Sequence, residues 1–277
     1  MIELGRVQEL IVVREKTFGV YLSRRQGDAE SVLLPKKQVP EGTKTGDRIR
    51  VFIYKDSEDR LIATTASPKL EVGETAVLKV RDVAKIGAFL DMGLEKDLLL
   101  PFKEQNHPVI SGEECLVALY VDKSGRLAAT MKVYPYLRSD SGLQKDMWTE
   151  GRVYELNDSL GVFVAVQDHY FGLIPRREVY ENYRLGQIVR VRVTKVREDG
   201  KLDLSAREKA YQQIYGDAET ILRRMDEQGG SLPFNDRVSP EIIQREFHLS
   251  KNAFKRAIGH LLKDGRIVIE ENSIRQK

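Results

Sequence analysis

Three short segments of this chain place an aromatic side chain two positions after a glycine. Strand alternation puts that aromatic on the face opposite its aliphatic neighbours. A flat ring on the outside of a sheet can stack on a nucleobase, or it can pack against a neighbouring part of the protein, and the sequence is compatible with both. The segments are Phe18-Gly19-Val20-Tyr21-Leu22, Ile86-Gly87-Ala88-Phe89-Leu90 and Leu160-Gly161-Val162-Phe163-Val164.

Basic side chains follow two of these segments in a second alternating pattern. In the third copy, Arg190 and Arg192 alternate with valines, and in the first copy Arg48 and Arg50 alternate with aliphatic residues. A guanidinium beside an exposed ring suits a phosphate track next to a stacking surface. The middle copy has Glu114 and uncharged residues instead, so we interpret it mainly as a spacer. The further basic residues of the third copy are Lys195, Arg197 and Lys201.

The repeated spacing indicates what positions these side chains. Each first glycine is followed at nearly the same distance by a second one, then by a polar turn, a basic residue and a short apolar strand. Constant spacing with varied side chains is typical of copies of one folding unit. About five strands per copy, closed by hairpins, predict three small OB-type barrels. The glycine pairs are Gly19 with Gly46, Gly87 with Gly112, and Gly161 with Gly186.

The copies resemble the S-one domain, the RNA-binding OB domain called after the first protein of the small ribosomal subunit. The third copy fits best, through Gly172-Leu173-Ile174-Pro175 and Lys201-Leu202-Asp203-Leu204-Ser205. The family histidine is replaced by proline in every copy, at Pro35, Pro101 and Pro175. The resemblance implies that RNA would face the aromatics Phe18, Tyr21, Phe89 and Phe163 and the basic residues Arg60, Arg126 and Lys201.

After Ser205 the apolar period becomes helical. We predict one or two helices to Glu227, broken near Tyr215-Gly216-Asp217, then a helix capped at Ser239 and another capped at Ser250. A terminal hairpin after Gly265 completes the pattern of a winged helix-turn-helix. In such domains the N-terminal end of the second helix contacts nucleic acid. The residues at that end are Lys251, Asn252, Lys255 and Arg256.

Composition limits the class of protein. The 277 residues carry a net charge of +3, with 41% hydrophobic and 31% charged residues, as in ordinary globular proteins. Neither a secretory leader nor an apolar run long enough for a membrane span is evident.

The single cysteine, Cys115, falls on an apolar strand face, which predicts a buried, unreactive thiol in a reducing cytoplasm. The four histidines show no metal-ligand spacing. We therefore expect no bound metal, no cofactor and no enzymatic activity.

Three S-one-like barrels followed by a winged helix resemble, over nearly the whole chain, the conserved virulence factor B family of Gram-positive bacteria. The resemblance implies a mainly β protein with a C-terminal α+β domain that binds single-stranded RNA and influences gene expression. Two alternatives are a DNA-binding transcription regulator acting through the winged helix, and a scaffold on the ribosome or RNA polymerase. The predicted domains are 1–67, 68–138 and 139–212 for the barrels and 213–277 for the winged helix; oligomeric state is not predicted.

Overall fold

Strands of alternating apolar residues build the first of two compact units, Met1–Ala206, and helices dominate the second, Arg207–Lys277. The structure is a computed structural model that describes residues 1–207 and 210–277, with no side chains described for 210–213. No helix among these residues has the length and apolar character needed to cross a membrane.

Each copy of the repeat forms five strands. The first contains β1 (Val7–Lys16), β2 (Gly19–Ser23), β3 (Val32–Pro35), β4 (Arg48–Lys55) and β5 (Leu61–Thr64). The second contains β6 (Thr75–Ala84), β7 (Gly87–Asp91), β8 (Leu98–Pro101), β9 (Glu114–Val121) and β10 (Leu127–Thr130). The third contains β11 (Trp148–Asn157), β12 (Gly161–Val166), β13 (Tyr170–Pro175), β14 (Ile188–Val196) and β15 (Leu202–Ser205).

The three sheets share one topology. The first and third are closed barrels, with strand orders β1-β2-β3-β5-β4 and β11-β12-β13-β15-β14, and a parallel pair closes each one. The second sheet has the order β10-β9-β6-β7-β8, so its strands pair as in the other two barrels. It is only nearly closed, because β8 and β10 lie at its two ends. The predicted fold class, three tandem five-stranded OB-type barrels, is confirmed. The aliphatic face of every strand fills its own barrel, as alternation requires.

The repeated glycine allows two strands to approach closely. Gly161 has φ +123°, and a β-carbon there would overlap the carbonyl oxygen of Ile174 on the neighbouring β13. Gly19 makes the same approach to Leu34 in the first barrel. Only a residue without a β-carbon fits this backbone, which accounts for the strict position of glycine in each copy.

Cys115 lies on the inward face of β9, as the sequence predicts. Its side chain is 2% exposed and packs in the core of the second barrel. Burial raises the pKa of the Cys115 thiol to about 12, because the thiolate would lose its hydration. The thiol is therefore protonated at neutral pH and acts as a small apolar side chain.

The C-terminal unit contains α1 (Ala210–Glu227), α2 (Pro240–Phe247) and α3 (Lys251–Lys263). The Ser250 hydroxyl accepts a hydrogen bond from the Ala253 amide at 3.2 Å, which confirms the predicted cap of α3. The predicted break near Gly216 is wrong, because α1 is continuous through it. A glycine inside a helix costs only about 1 kcal/mol, which the packing of Ile221 and Met225 offsets. The small sheet is formed by β16 (Ser231–Leu232), β17 (Ile267–Ile269) and β18 (Ile274–Gln276).

Candidate nucleic-acid interface

The first barrel presents two neighbouring aromatic rings, one from Tyr21 on β2 and one from Phe18 in the turn just before β2. Phe18 is 54% exposed, Tyr21 is half-buried, and their ring centroids lie 6.3 Å apart in an edge-to-face arrangement. The guanidinium of Arg14, paired with Tyr21 across β1 and β2, lies 4.3 Å from the Tyr21 ring centroid. We call Arg14, Phe18 and Tyr21 the first-barrel platform. A cation held beside open ring faces can bind a phosphate while the rings stack on bases.

Arg60 lies in the turn between β4 and β5, where a carboxylate partly neutralises it. Its guanidinium donates two hydrogen bonds to Asp56, at 2.9 and 2.8 Å, and forms an ion pair with Glu58. The hydrogen bond to Asp56, with the charges of both carboxylates, raises the pKa of Arg60, so it stays fully charged. Its side chain is 68% exposed, but all three guanidinium nitrogens contact carboxylates, so a phosphate would have to compete with Asp56 and Glu58.

The corresponding face of the second barrel is partly covered by the β4–β5 hairpin of the first. Arg126, at the position of Arg60, forms an ion pair with Asp59 of that hairpin. The ammonium of Lys96 donates to the carbonyl oxygens of Lys55 and Asp56 at 3.2 and 3.1 Å. Phe89 is half-buried beneath the hairpin and lines a cavity there. The hairpin therefore takes the place that an RNA strand would need on this barrel.

Phe163 in the third barrel is only 7% exposed, so of the two alternatives for the outer-face aromatics it is packing against a neighbouring part of the protein that the structure shows here. Its ring packs in an aromatic cluster with Tyr154 and Phe171, against Leu116 and Ala118 on β9 of the second barrel. The physical reason is that the outer face of β9 is apolar and docks onto this surface. The same docking explains why the middle copy lacks a basic row: its outward positions are an interface between barrels.

Replacing Phe163 by alanine is expected to lower the free energy of unfolding by about 3–5 kcal/mol, because it opens a cavity at this interface. Where the variant remains folded, its affinity for single-stranded RNA should be unchanged. Urea unfolding and fluorescence anisotropy measure the two quantities, with Phe163→Leu as the control that keeps most of the apolar volume. A loss of RNA affinity in a variant of full stability would show that this ring contacts RNA.

Two of the predicted basic residues are engaged in ion pairs within the third barrel. The Arg192 guanidinium lies 2.9 Å from a carboxylate oxygen of Asp146, with its side chain 11% exposed. The Arg197 guanidinium lies 2.6 Å from Asp203 on the adjacent strand. Both hold the barrel together, so a phosphate would have to compete with an existing carboxylate for either one.

Of the three other basic residues of the third barrel, two are exposed and Lys201 is half-buried. Arg190 and Lys195 are exposed, and the Arg190 guanidinium lies 5.1 Å from the ring centroid of Trp148 on β11. Lys201 pairs with Asp199 at 3.1 Å, and its ammonium lies 5.1 Å from the Phe171 ring centroid. Arg190 and Trp148 repeat the combination of cation and ring found on the first barrel, on a different face.

The predicted contact end of α3 carries an open basic row. Asn252, Lys255 and Arg256 are exposed and Lys251 is half-buried. Within the described residues, none of the three cations has a carboxylate at ion-pair distance. In the terminal hairpin, Glu270 is paired with Arg275 at 3.1 Å. This helix end can therefore contact phosphates.

Arg14 and Trp148 are candidate interface residues that the sequence reasoning missed. The register of the β1–β2 hairpin, which pairs Arg14 with Tyr21, would have located Arg14. Trp148 pairs with Arg192 at the start of β11, before the repeated pattern begins, so no repeat signal marks it. No group of His, Cys, Asp or Glu suited to holding a metal ion occurs among the described residues.

Three family models match this chain, and none of them describes an enzyme. The S1 domain, which is the S-one domain named above, matches residues 4–66 and 72–132. "Virulence regulatory factor CvfB, second domain" matches residues 139–208, and "CvfB-like winged helix domain" matches residues 219–275. The winged helix at the C-terminus is thereby confirmed.

Relatives extend along nearly the whole chain. The Bacillus subtilis protein YitL is 34% identical over 96% of this chain and 91% of its own length. Conserved virulence factor B of Staphylococcus aureus (strain N315) is 30% identical over 89% of this chain and 86% of its own length. A solved Streptococcus pneumoniae structure, described as a multidomain protein with nucleic acid binding domains, is 26% identical over 99% of this chain and 98% of that one, with a TM-score of 0.49.

Proposed function

This chain belongs to the conserved virulence factor B family, and on that premise we propose that it is a cytoplasmic protein that binds single-stranded RNA and influences gene expression after transcription. The single observation that carries the proposal is the first-barrel platform of Arg14, Phe18 and Tyr21. Each stacked base contributes about 1–3 kcal/mol with little sequence preference, so a few contacts give useful affinity.

Other exposed cations extend the proposed RNA track. Arg190 and Lys195 are exposed on the third barrel and have no ion pair within the described residues, and Arg60 on the first barrel is exposed but paired with Asp56 and Glu58. Arg192, Arg197 and Lys201 are left out because they hold Asp146, Asp203 and Asp199. Phe163 is left out because it is buried. The proposal therefore moves base stacking from the third copy to the first and keeps phosphate contacts on both.

A second candidate function is duplex DNA binding through α3. It is favoured by Lys255 and Arg256 at the end of a helix-turn-helix, which are exposed and have no ion pair among the residues that the structure describes. The scaffold alternative predicts that Tyr21, Phe89 and Phe163 are all buried between domains. Only Phe163 meets that condition, which favours the RNA proposal.

Titration of the full chain with single-stranded RNA and with duplex DNA at two salt concentrations tests the proposal. We expect the RNA to bind more tightly and its affinity to fall with salt, with a log–log slope of about −0.7 per phosphate neutralised. Lys255→Ala should reduce that slope slightly without changing the preference for RNA. If duplex DNA displaces the RNA and Lys255→Ala abolishes this, the DNA-binding function replaces the proposal.

A further inference from the structure

His107 lies in the loop that leads into β9 of the second barrel. Its side chain is 23% exposed, and each of its two ring nitrogens faces an oxygen atom. The Nε2 atom lies 2.9 Å from a carboxylate oxygen of Glu113, and the Nδ1 atom lies 2.7 Å from the side-chain oxygen of Asn106. None of these residues belongs to the proposed RNA track.

The amide of Asn106 joins this cluster to the third barrel. Its nitrogen donates a hydrogen bond of 2.8 Å to the backbone carbonyl of Tyr154 on β11. A carbonyl oxygen can only accept, so this bond directs the nitrogen of the amide toward β11 and its oxygen toward His107. The orientation of the Asn106 amide is therefore set by the third barrel.

The two oxygens around His107 require a proton on both ring nitrogens. The Glu113 carboxylate accepts at both of its oxygens, since the second one takes a hydrogen bond of 3.0 Å from the Ile110 amide. Neutral imidazole has one N–H and one bare nitrogen, whereas the imidazolium has two N–H donors. The neutral ring can thus satisfy Glu113 or Asn106, but not both.

Loss of one proton from His107 acts on the bond between the barrels. A carboxylate is a stronger acceptor than an amide oxygen, so the remaining proton stays on Nε2, toward Glu113. The bare Nδ1 atom then faces the oxygen of Asn106. Turning the amide relieves that repulsion, but it places the amide oxygen against the Tyr154 carbonyl, and an unsatisfied polar contact costs stability.

We propose that His107 is a pH-sensitive contact between the second and third barrels. Its imidazolium, held by Glu113, keeps Asn106 bonded to β11, and its deprotonation breaks that bond. Imidazole titrates between about pH 5 and 8, so the junction is more stable on the acidic side of this range and less stable above it. The apolar packing around Phe163 is present in both states, so the contact adjusts the junction and does not create it.

The other titratable groups near His107 do not replace Glu113. Within the described residues, Glu113 is the only carboxylate at ion-pair distance from the ring. Burial raises the pKa of the Tyr154 hydroxyl and of the Cys115 thiol, so both stay neutral across this range. The remaining charged groups on the adjoining segments are Glu104, paired with Lys132; Arg81, paired with Asp91; Arg152, paired with Asp168; and the exposed Glu114 and Glu155.

A second histidine at the same junction needs only one proton. The hydroxyl of Thr75 on β6 donates to the Asp168 carbonyl at 2.7 Å, so it accepts from the Nδ1 atom of His169 at 3.1 Å. Both charge states of His169 can provide that single N–H. His169 is therefore a matched control for His107.

Thermal unfolding of the full chain, followed by circular dichroism between about pH 5 and 8, tests the proposal. As the pH rises, we expect the melting temperature of the unchanged protein to fall by about 2–4 °C more than that of His107→Gln, the shift for one lost hydrogen bond. His169→Gln should show the same fall as the unchanged protein. Asn106→Ala keeps the pair of His107 and Glu113 but removes the bond to β11, so most of the fall should disappear.

Hydrogen exchange of the β11 segment around Tyr154 gives a second measurement, which requires no substitution. After correction for the intrinsic rate, exchange there should be roughly two- to tenfold faster above the range of imidazole titration than below it. Equal exchange at both ends of the range would contradict the proposal. So would the same pH dependence of melting in the unchanged protein and His107→Gln. Persistence of the full fall in Asn106→Ala would confine the effect of His107 to its own loop and also overturn the proposal.

Discussion

Replacing both Phe18 and Tyr21 by alanine is expected to lower the affinity for single-stranded RNA by on the order of 100-fold. Each ring that stacks on a base contributes about 1–3 kcal/mol, and the two rings lie side by side on one face. Losing Tyr21 also releases Arg14, whose guanidinium lies over that ring. Fluorescence anisotropy with a labelled oligouridine at fixed salt measures the loss.

Phe102 provides a matched control for this substitution. It is 52% exposed, close to the 54% of Phe18, and it lies just after β8 of the second barrel, away from the first-barrel platform. Phe102→Ala should leave RNA affinity within about twofold, since surface substitutions away from a site act weakly. If the Phe102 variant loses as much affinity as the double variant, or if the double variant loses none, the first barrel is not the stacking site. Loss on Arg190→Ala alone would then place the site on the third barrel.

Replacing Gly161 by alanine is expected to lower the free energy of unfolding by about 3–5 kcal/mol. The left-handed backbone at φ +123° costs about 1–3 kcal/mol for a residue with a β-carbon, and the overlap with the Ile174 carbonyl adds a similar amount. The hydrogen bond from the Arg176 amide to the Leu160 carbonyl lies beside this contact and would be strained. Urea unfolding followed by circular dichroism measures the change.

Replacing Gly186 by alanine is the control that distinguishes backbone strain from steric overlap as the cause of that loss. Gly186 also has a left-handed backbone, with φ +79°, but a β-carbon there would meet no atom within 4 Å. Gly186→Ala should therefore cost only about 1–2 kcal/mol, from backbone strain alone. Equal losses at the two positions would show that the close approach of β12 and β13 does not contribute.

Much of the fold follows from the sequence. Glycine at a fixed position, alternation of aliphatic residues and regular turns predict three copies of one barrel, and the three sheets with shared topology confirm this. The cap at Ser250 and the burial of Cys115 were also predictable, because both depend on local pattern and the phase of a strand. The domain boundaries at 67, 138 and 212 remain predictions.

The candidate site was less predictable. Alternation correctly assigned Tyr21, Phe89 and Phe163 to the outer face of each barrel, but it treated the three positions as equivalent. In the structure, β9 covers Phe163, the β4–β5 hairpin partly covers Phe89, and Phe18 with Tyr21 stays accessible. The assignment of these residues to RNA binding remains a prediction that the variants above test.

The sequence by itself determined the repeat, the barrel that each copy forms and the family to which the chain belongs. It did so because strand phase and glycine backbone geometry are local properties that spacing records. Only the tertiary structure decided which outer faces remain open, since that depends on contacts between barrels far apart in the chain. An exposed ring and a ring packed between two barrels have the same sequence pattern, and the partner surface, such as Leu116 against Phe163, decides between them.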